Sequence, residues 1–361
     1  MKQIPENTFI SIVNKLKKSD DFEEFVERVQ KRVDNFLKKP KFSYSEGIGR
    51  KKKTIKYEIG KKSDSRSKKY KKILDSISDV ERIMFMSSSM LKKETVALQG
   101  FQLDVGNDID KGFSQTLQSI LRYSELRSGD KKLLYSFYKE LGIKSCIYCN
   151  SQHTILLKDT EKTMRLQADH YIAKSKYPTF SITLANLFPT CNNCNHLKSD
   201  KEISYSLYYD DTKLKHHDLG FKVTPESLNN YYLNRNKNNA ENYLEVEFTD
   251  YYNGDLKNSS KLNEILKIDK IYENHKDIIA DLISKKIVYK DSYLETLGEE
   301  FGGLFKRKDG TINKHLFNQM IYGHSLDEND VNKRVFSKLT IDVKKQLDSY
   351  DFTTAKKSEI D

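Results

Sequence analysis

A chain of 361 residues with a formal net charge of +11 exceeds the usual size of one compact domain and predicts two or three packed units. Nowhere do about 18 apolar residues run together, and the opening MKQIPENTFISIVNKLKKSDD has no apolar stretch of leader length, so a soluble, cytoplasmic protein is expected. Four cysteines are too few for a disulfide scaffold; grouped as two C-x-x-C pairs, they point to metal binding in a reducing compartment rather than to a thioredoxin-like redox pair.

In chain order, residues 19–40 read as an amphipathic helix with Asp20 at the N-cap, Glu23 three residues on and Pro40 as the stop. Phe22, Val26, Val29, Val33 and Phe36 form its apolar stripe, a core face rather than a coiled-coil seam. Residues 50–72, RKKKTIKYEIGKKSDSRSKKYKK, hold twelve Lys or Arg against Glu58 and Asp64, so nearly the whole charge excess of the chain is local. Such a patch attracts polyanions through counterion release, or is simply a solvated surface; charge alone leaves both readings open. Alternating Ile55, Tyr57 and Ile59 within it predict a short strand pair with lysines on the outer face. Helical patterns follow in DVERIMFMSSSMLKKE, KGFSQTLQSILRYSEL and DKKLLYSFYKELG, the last closed by Gly142.

A cysteine-rich segment begins after that helix. Cys146-x-x-Cys149 and Cys191-x-x-Cys194 can supply four thiolates to one tetrahedral Zn²⁺. Between the pairs, MRLQADHYI (164–172) and NLFPTC (186–191) read as strands, and NNCNHLKSDKE starts a helix, which makes a small ββα unit. A zinc held by Cys191 and Cys194 would leave the backbone at Asn195 little freedom. Asp169 and Asn195 offer hard oxygen ligands suited to Mg²⁺ or Mn²⁺, and His170 beside them has the ordinary pKa of a residue that takes a proton near neutrality. Helical neighbours point about 100° apart, so Asn195 rather than His196 is expected to face the ion. Adjacent strand residues point to opposite faces, so Asp169 and His170 can share a site only where the strand ends or bends.

Asp169-His170, then Asn186-Leu187, then Cys191-x-x-Cys194-Asn195-x-x-Lys198 resembles the signature of HNH endonucleases, the ββα-metal nucleases. The resemblance covers residues 146–201. It implies His170 as general base, Asn186 as the brace that orients it, Asp169 and Asn195 as ligands of a catalytic Mg²⁺ or Mn²⁺, and Cys146, Cys149, Cys191 and Cys194 as the structural zinc site of one branch of that family. Lys198 then matches a basic residue near the phosphate. Many members have His where this chain has Asn195, and a Gly pair where it has KYPTFS.

After residue 202 the chain turns Tyr- and Asn-rich, with Tyr205, Tyr208 and Tyr209 as candidates to stack on bases or to pack in the core. A strand-like YLEVEFTDYYNG ends in an Asn-Gly turn signal, and helical spacing resumes from residue 261. This C-terminal pattern resembles HNH proteins of bacterial anti-phage defence modules that work beside an ATPase, which implies a regulatory protein partner.

The sequence therefore predicts an α+β, mostly helical chain in three parts. These are a helical region 1–140 with the Lys-rich segment, an HNH ββα-metal module at 141–202 stapled by a four-cysteine zinc, and a mostly helical region 203–361. The expected function is metal-dependent hydrolysis of DNA, with Arg50, Lys51, Lys52, Lys53 and Lys198 contacting nucleic acid. Two alternatives stay open: a zinc-stabilised module that binds nucleic acid or a partner without cutting it, and cleavage of RNA.

Overall fold

A computed structural model describes residues 2–47, 52–61, 64–128, 131–157, 164–203, 205–209, 219–250, 257–289, 291–305, 307–311, 313–323 and 326–350. Most of these residues are helical, with short strands in pairs. Among them no helix is long and apolar enough to cross a membrane. The chain divides into two compact units, residues 3–143 with 155–216, and residues 1–2 with 144–154 and 217–361.

The first unit contains β1 (Ile4–Pro5), α1 (Glu6–Lys17), α2 (Asp20–Lys38), β2 (Lys41–Glu46), β3 (Lys53–Glu58), α3 (Ser65–Ser76), α4 (Val80–Phe85), α5 (Ser88–Ala97), α6 (Asp108–Ile120), α7 (Tyr123–Ser128) and α8 (Leu133–Leu141). It continues with β4 (Ile155–Leu156), β5 (Met164–Arg165), β6 (Gln167–His170), β7 (Leu187–Thr190), α9 (Asn192–Lys198) and β8 (Tyr208–Tyr209).

The cap of α2 is Ser19, one residue earlier than Asp20, and its side chain makes no capping bond; Asp20, Asp21 and Glu23 instead place negative charge in the first turn, against the positive end of the helix dipole. The buried stripe is Phe22, Phe25, Val29 and Val33, so Phe25 replaces Val26, while Phe36 is only partly covered. Both choices fit a helical period; packing against the neighbouring elements picks the larger ring.

The Lys-rich segment forms the predicted strand pair: β2 and β3 are antiparallel, with Phe42 opposite Tyr57 and Tyr44 opposite Ile55. Phe42 and Tyr44 are buried, whereas Lys52, Lys53 and Lys56 are exposed. Arg50 and Lys51 lie outside the described residues. The hairpin lies against α6 at Gly112, where an added Cβ would come 2.4 Å from Tyr44 Cβ. Beneath it Phe42, Tyr57, Tyr70 and Phe113 form an aromatic cluster, with Tyr70 stacked on Phe113 at 4.1 Å. Buried Asp110 accepts hydrogen bonds from Tyr70 Oη at 2.5 Å, Lys69 Nζ at 2.7 Å and the Asp104 amide at 2.8 Å. One lysine of the basic run is therefore committed to the interior of the unit.

Two sequence segments that read as single helices break in two. Ser87 separates α4 from α5 and caps the second, accepting from the Met90 amide. Arg122, at φ 54°, separates α6 from α7 and so redirects Tyr123 and Arg127. Gly142 closes α8 in the left-handed conformation at φ 68°, as its position predicts.

The second unit contains β9 (Leu219–Val223), α10 (Pro225–Asn234), β10 (Val246–Asp250), α11 (Lys257–Leu266), α12 (Ile268–Glu273), α13 (Lys276–Val288), α14 (Asp291–Glu300), α15 (Gly302–Phe305), α16 (Lys314–Tyr322) and α17 (Ser337–Asp348). The strand predicted from YLEVEFTDYYNG is β10, which pairs antiparallel with β9. The Asn253-Gly254 turn signal lies outside the described residues. Side chains of α17 satisfy backbone groups of β9: Asp342 accepts from the Phe221 amide at 2.9 Å, and Gln346 bonds both the amide and the carbonyl of Val223. Such bonding covers a sheet edge that would otherwise offer itself to another chain.

Asn150, directly after the first C-x-x-C, is fully buried with φ 52°. Its Nδ2, with two hydrogens to donate, lies 2.9 Å from Ser145 Oγ, 2.9 Å from the Val331 carbonyl and 3.0 Å from the Arg334 carbonyl, and its Oδ1 accepts from the Lys338 amide. The Asn there is a tie between the first knuckle and the start of α17, and an amide is the one small side chain that donates and accepts in this way.

Candidate functional site

The four cysteine sulfurs lie within 4.8 Å of one another and all four residues are buried. A tetrahedron of Zn–S bonds of about 2.3 Å separates its sulfurs by about 3.8 Å, so the cluster has the size, the ligand type and the burial of a structural zinc site. Among the described residues no other group of three or more His, Cys, Asp or Glu side chains converges in this way. In the second knuckle, Cys191 caps α9: its Sγ accepts from the Cys194 amide, and its carbonyl accepts from the Asn195 amide at 3.1 Å. The knuckle thus sets the direction in which Asn195 leaves the backbone.

The segment 164–172 splits where the chain changes partners, β5 pairing with β4 and β6 with β7. In the latter pair Asp169 faces Phe188 and His170 faces Leu187. The strand ends at His170, which resolves the facing problem: Asp169, His170 and Asn195 line one cavity of about 340 Å³. His196 lines it as well, so the 100° separation along α9 does not exclude either neighbour from the same wall. Tyr123, Arg127, Gln167, Lys174 and Asp200 also line it; none was singled out from the sequence.

His170 is buried, and its Nε2 lies 3.0 Å from the Ser181 carbonyl. A carbonyl only accepts, so Nε2 carries the proton and Nδ1 keeps a basic lone pair. The Tyr123 ring packs edge-on against the imidazole at 4.8 Å. Burial, followed by the charge of Lys174, pushes the His170 pKa down to about 3 against the weaker opposing effect of the Ser181 carbonyl. The ring is therefore neutral at pH 7, and in the protein alone it is a weaker base than the ordinary near-neutral value expected from the sequence.

Asn186 is fully buried at the other end of the loop that leaves His170. Its Oδ1 accepts from the Ile172 amide at 2.7 Å, and its Nδ2 donates to the Ile172 and Phe180 carbonyls, each at 3.0 Å. The Tyr171 amide donates to the Asn186 carbonyl at 2.9 Å. One side chain thereby joins both arms of the loop and fixes Phe180, the neighbour of the Ser181 carbonyl that holds His170. Where KYPTFS stands, the loop makes a 3₁₀ turn over Pro178–Ile182 that is buried throughout.

Lys198 takes a different place from the one expected of a phosphate contact. Its side chain is wholly buried; Nζ donates to the His170 carbonyl at 2.7 Å and lies 3.3 Å from Asp169. Its position three residues after Asn195 turns it back under the strand, where it meets the Asp169 carboxylate. Tyr205 and Tyr208 are also fully buried, Tyr208 within 4.6 Å of the Phe9 ring, so these two are core residues and do not present a face to bases. Lys52 and Lys53 are exposed on the hairpin.

No family model, no curated protein and no solved structure matches this chain.

Proposed function

We propose that the protein hydrolyses phosphodiester bonds in DNA as an HNH-type ββα-metal endonuclease. The observation that carries the reading is the convergence of Asp169, His170 and Asn195 on one cavity, in a chain whose four cysteines cluster as a zinc site would. The imidazole, tethered through Nε2 to the Ser181 carbonyl, offers Nδ1 to take a proton from an attacking water. Asp169 and Asn195 would hold the Mg²⁺ or Mn²⁺, which when bound polarises the phosphate and stabilises the leaving oxygen. Asn186 keeps the loop closed so that Ser181 stays on His170. The exposed lysines of the β2–β3 hairpin supply contacts to the nucleic-acid backbone.

A second reading has its own support. Asp169 is already paired with buried Lys198, and the cavity gathers no cluster of three acidic or imidazole ligands among the described residues. That balance favours a zinc-stabilised protein that binds nucleic acid or a protein partner without cutting. The cysteine cluster is common to both readings and does not separate them.

Purified protein with Mg²⁺ or Mn²⁺, offered duplex DNA, single-stranded DNA and RNA, separates them. Nicking or cutting of DNA that His170→Ala abolishes, with zinc content and circular dichroism unchanged, supports the nuclease. Equal cutting by that variant removes His170 from the mechanism. Tight binding without cleavage under every ion, with or without an added regulatory ATPase, supports the second reading.

A further inference from the structure

Arg127 and Lys174 line the cavity at His170 together with Asp169 and Asp200, and Lys198, buried behind Asp169, adds a third cation. Three cations act on the imidazole: Lys174, Lys198 and Arg127. Lys198 is committed to Asp169. Asp200 also lines the cavity, yet among the described residues neither Arg127 nor Lys174 forms an ion pair. Arg127 donates instead to the neutral Gln167 Oε1 at 3.0 Å, and the Lys174 ammonium lies over the Tyr123 ring, 4.1 Å from its centroid.

Arg127 is exposed and Lys174 half-buried, and the two do not belong to one basic run of the sequence. Arg127 comes from α7, redirected by Arg122, and Lys174 from the loop after β6, so two distant segments bring like charges to one wall. Like charges in one cavity repel. Burial, then Arg127, holds the Lys174 ammonium below its ordinary pKa, and an anion bound between the two cations would oppose that shift. The aromatic face of Tyr123 keeps the Lys174 head in position, and the guanidinium fork of Arg127 suits two oxygens of one phosphate.

We propose that Arg127 and Lys174 clamp the phosphodiester that enters the His170 cavity, taking the role that the resemblance to HNH endonucleases implies for Lys198. The proposal deepens the nuclease reading and rests on it for the identity of the anion. Arg127 and Lys174 bind and orient the phosphate between them; Lys198 is a positioning residue that holds Asp169.

The test separates binding from cutting. In the His170→Ala background, a fluorescein-labelled short DNA duplex is titrated over a series of salt concentrations and followed by anisotropy. Arg127→Gln and Lys174→Gln should each flatten the slope of log Kd against log salt by about 0.9, the double variant by about twice that, and Lys174→Arg should restore it. With His170 in place, both Gln variants should raise KM for cleavage more than they lower kcat. Arg127 is exposed, so its substitution leaves the core intact and gives an independent reading should Lys174→Gln unfold. Unchanged slopes and unchanged KM in a wild type that cuts DNA would overturn the clamp alone. Flattened slopes in a wild type that cuts nothing would sustain the clamp and overturn the nuclease reading.

Discussion

Asn186→Ala removes one acceptor and two donors from a buried loop. The partners left behind are the Ile172 amide, the Ile172 carbonyl and the Phe180 carbonyl, at 2.7, 3.0 and 3.0 Å in the intact protein. Each buried polar group left unpaired costs about 1–3 kcal/mol, and carbonyls lie at the low end because their second lone pair can find other donors. The three together give a loss of about 3–5 kcal/mol, a large part of the stability of an ordinary domain. Urea unfolding followed by circular dichroism measures it directly. Asn186→Asp sharpens the test, since the carboxylate still accepts from Ile172 but meets two carbonyl oxygens where the amide donated. Its carboxyl pKa in the folded protein is then raised above the unfolded value of about 3.9, so the penalty should be small in acid and grow as the pH rises above that value. A loss under about 1 kcal/mol for the Ala variant, or a pH-independent loss for the Asp variant, would refute the reasoning that these bonds hold the loop.

Gly112→Ala should destabilise by about 1–3 kcal/mol, read as a lowered urea midpoint, because its methyl group would collide with Tyr44 and push the basic hairpin off α6. Native mass spectrometry should find one zinc per chain at the cysteine cluster, and Cys194→Ser should lose both the zinc and the cooperative unfolding transition. Burial pushes the Asp110 carboxyl up, but the Asp104 amide, Lys69 and Tyr70 together outweigh it and hold its pKa below the usual range. The stability from this depressed pKa is present above about pH 3.9 and is lost as the pH falls through the folded value, so the advantage of the wild type over Asp110→Asn in urea unfolding should shrink in acid.

The parts of the site legible in the sequence are those separated by a few residues along the chain. The Cys191 knuckle starts α9 and aims Asn195; β6 and β7 pair and carry Asp169 and His170; α8 ends at Gly142. Spacing determines these because a strand, a turn or a helix start depends on local backbone geometry. Spacing also offered wrong neighbours, since Val26 and Phe25 fit the same helical stripe equally well and only packing against other elements covers one of them.

Sequence alone established the two cysteine pairs, the order of the Asp, His and Asn groups between and after them, and the concentration of charge in residues 50–72. Tertiary structure alone decided that the four sulfurs converge, that Lys198 turns inward to Asp169, and that Arg127 and Lys174 meet at the His170 cavity. The reason is that burial and cavity walls depend on which distant segments pack together. A single left-handed residue such as Arg122 can redirect a helix, and everything it carries, without leaving a mark in the hydrophobic period.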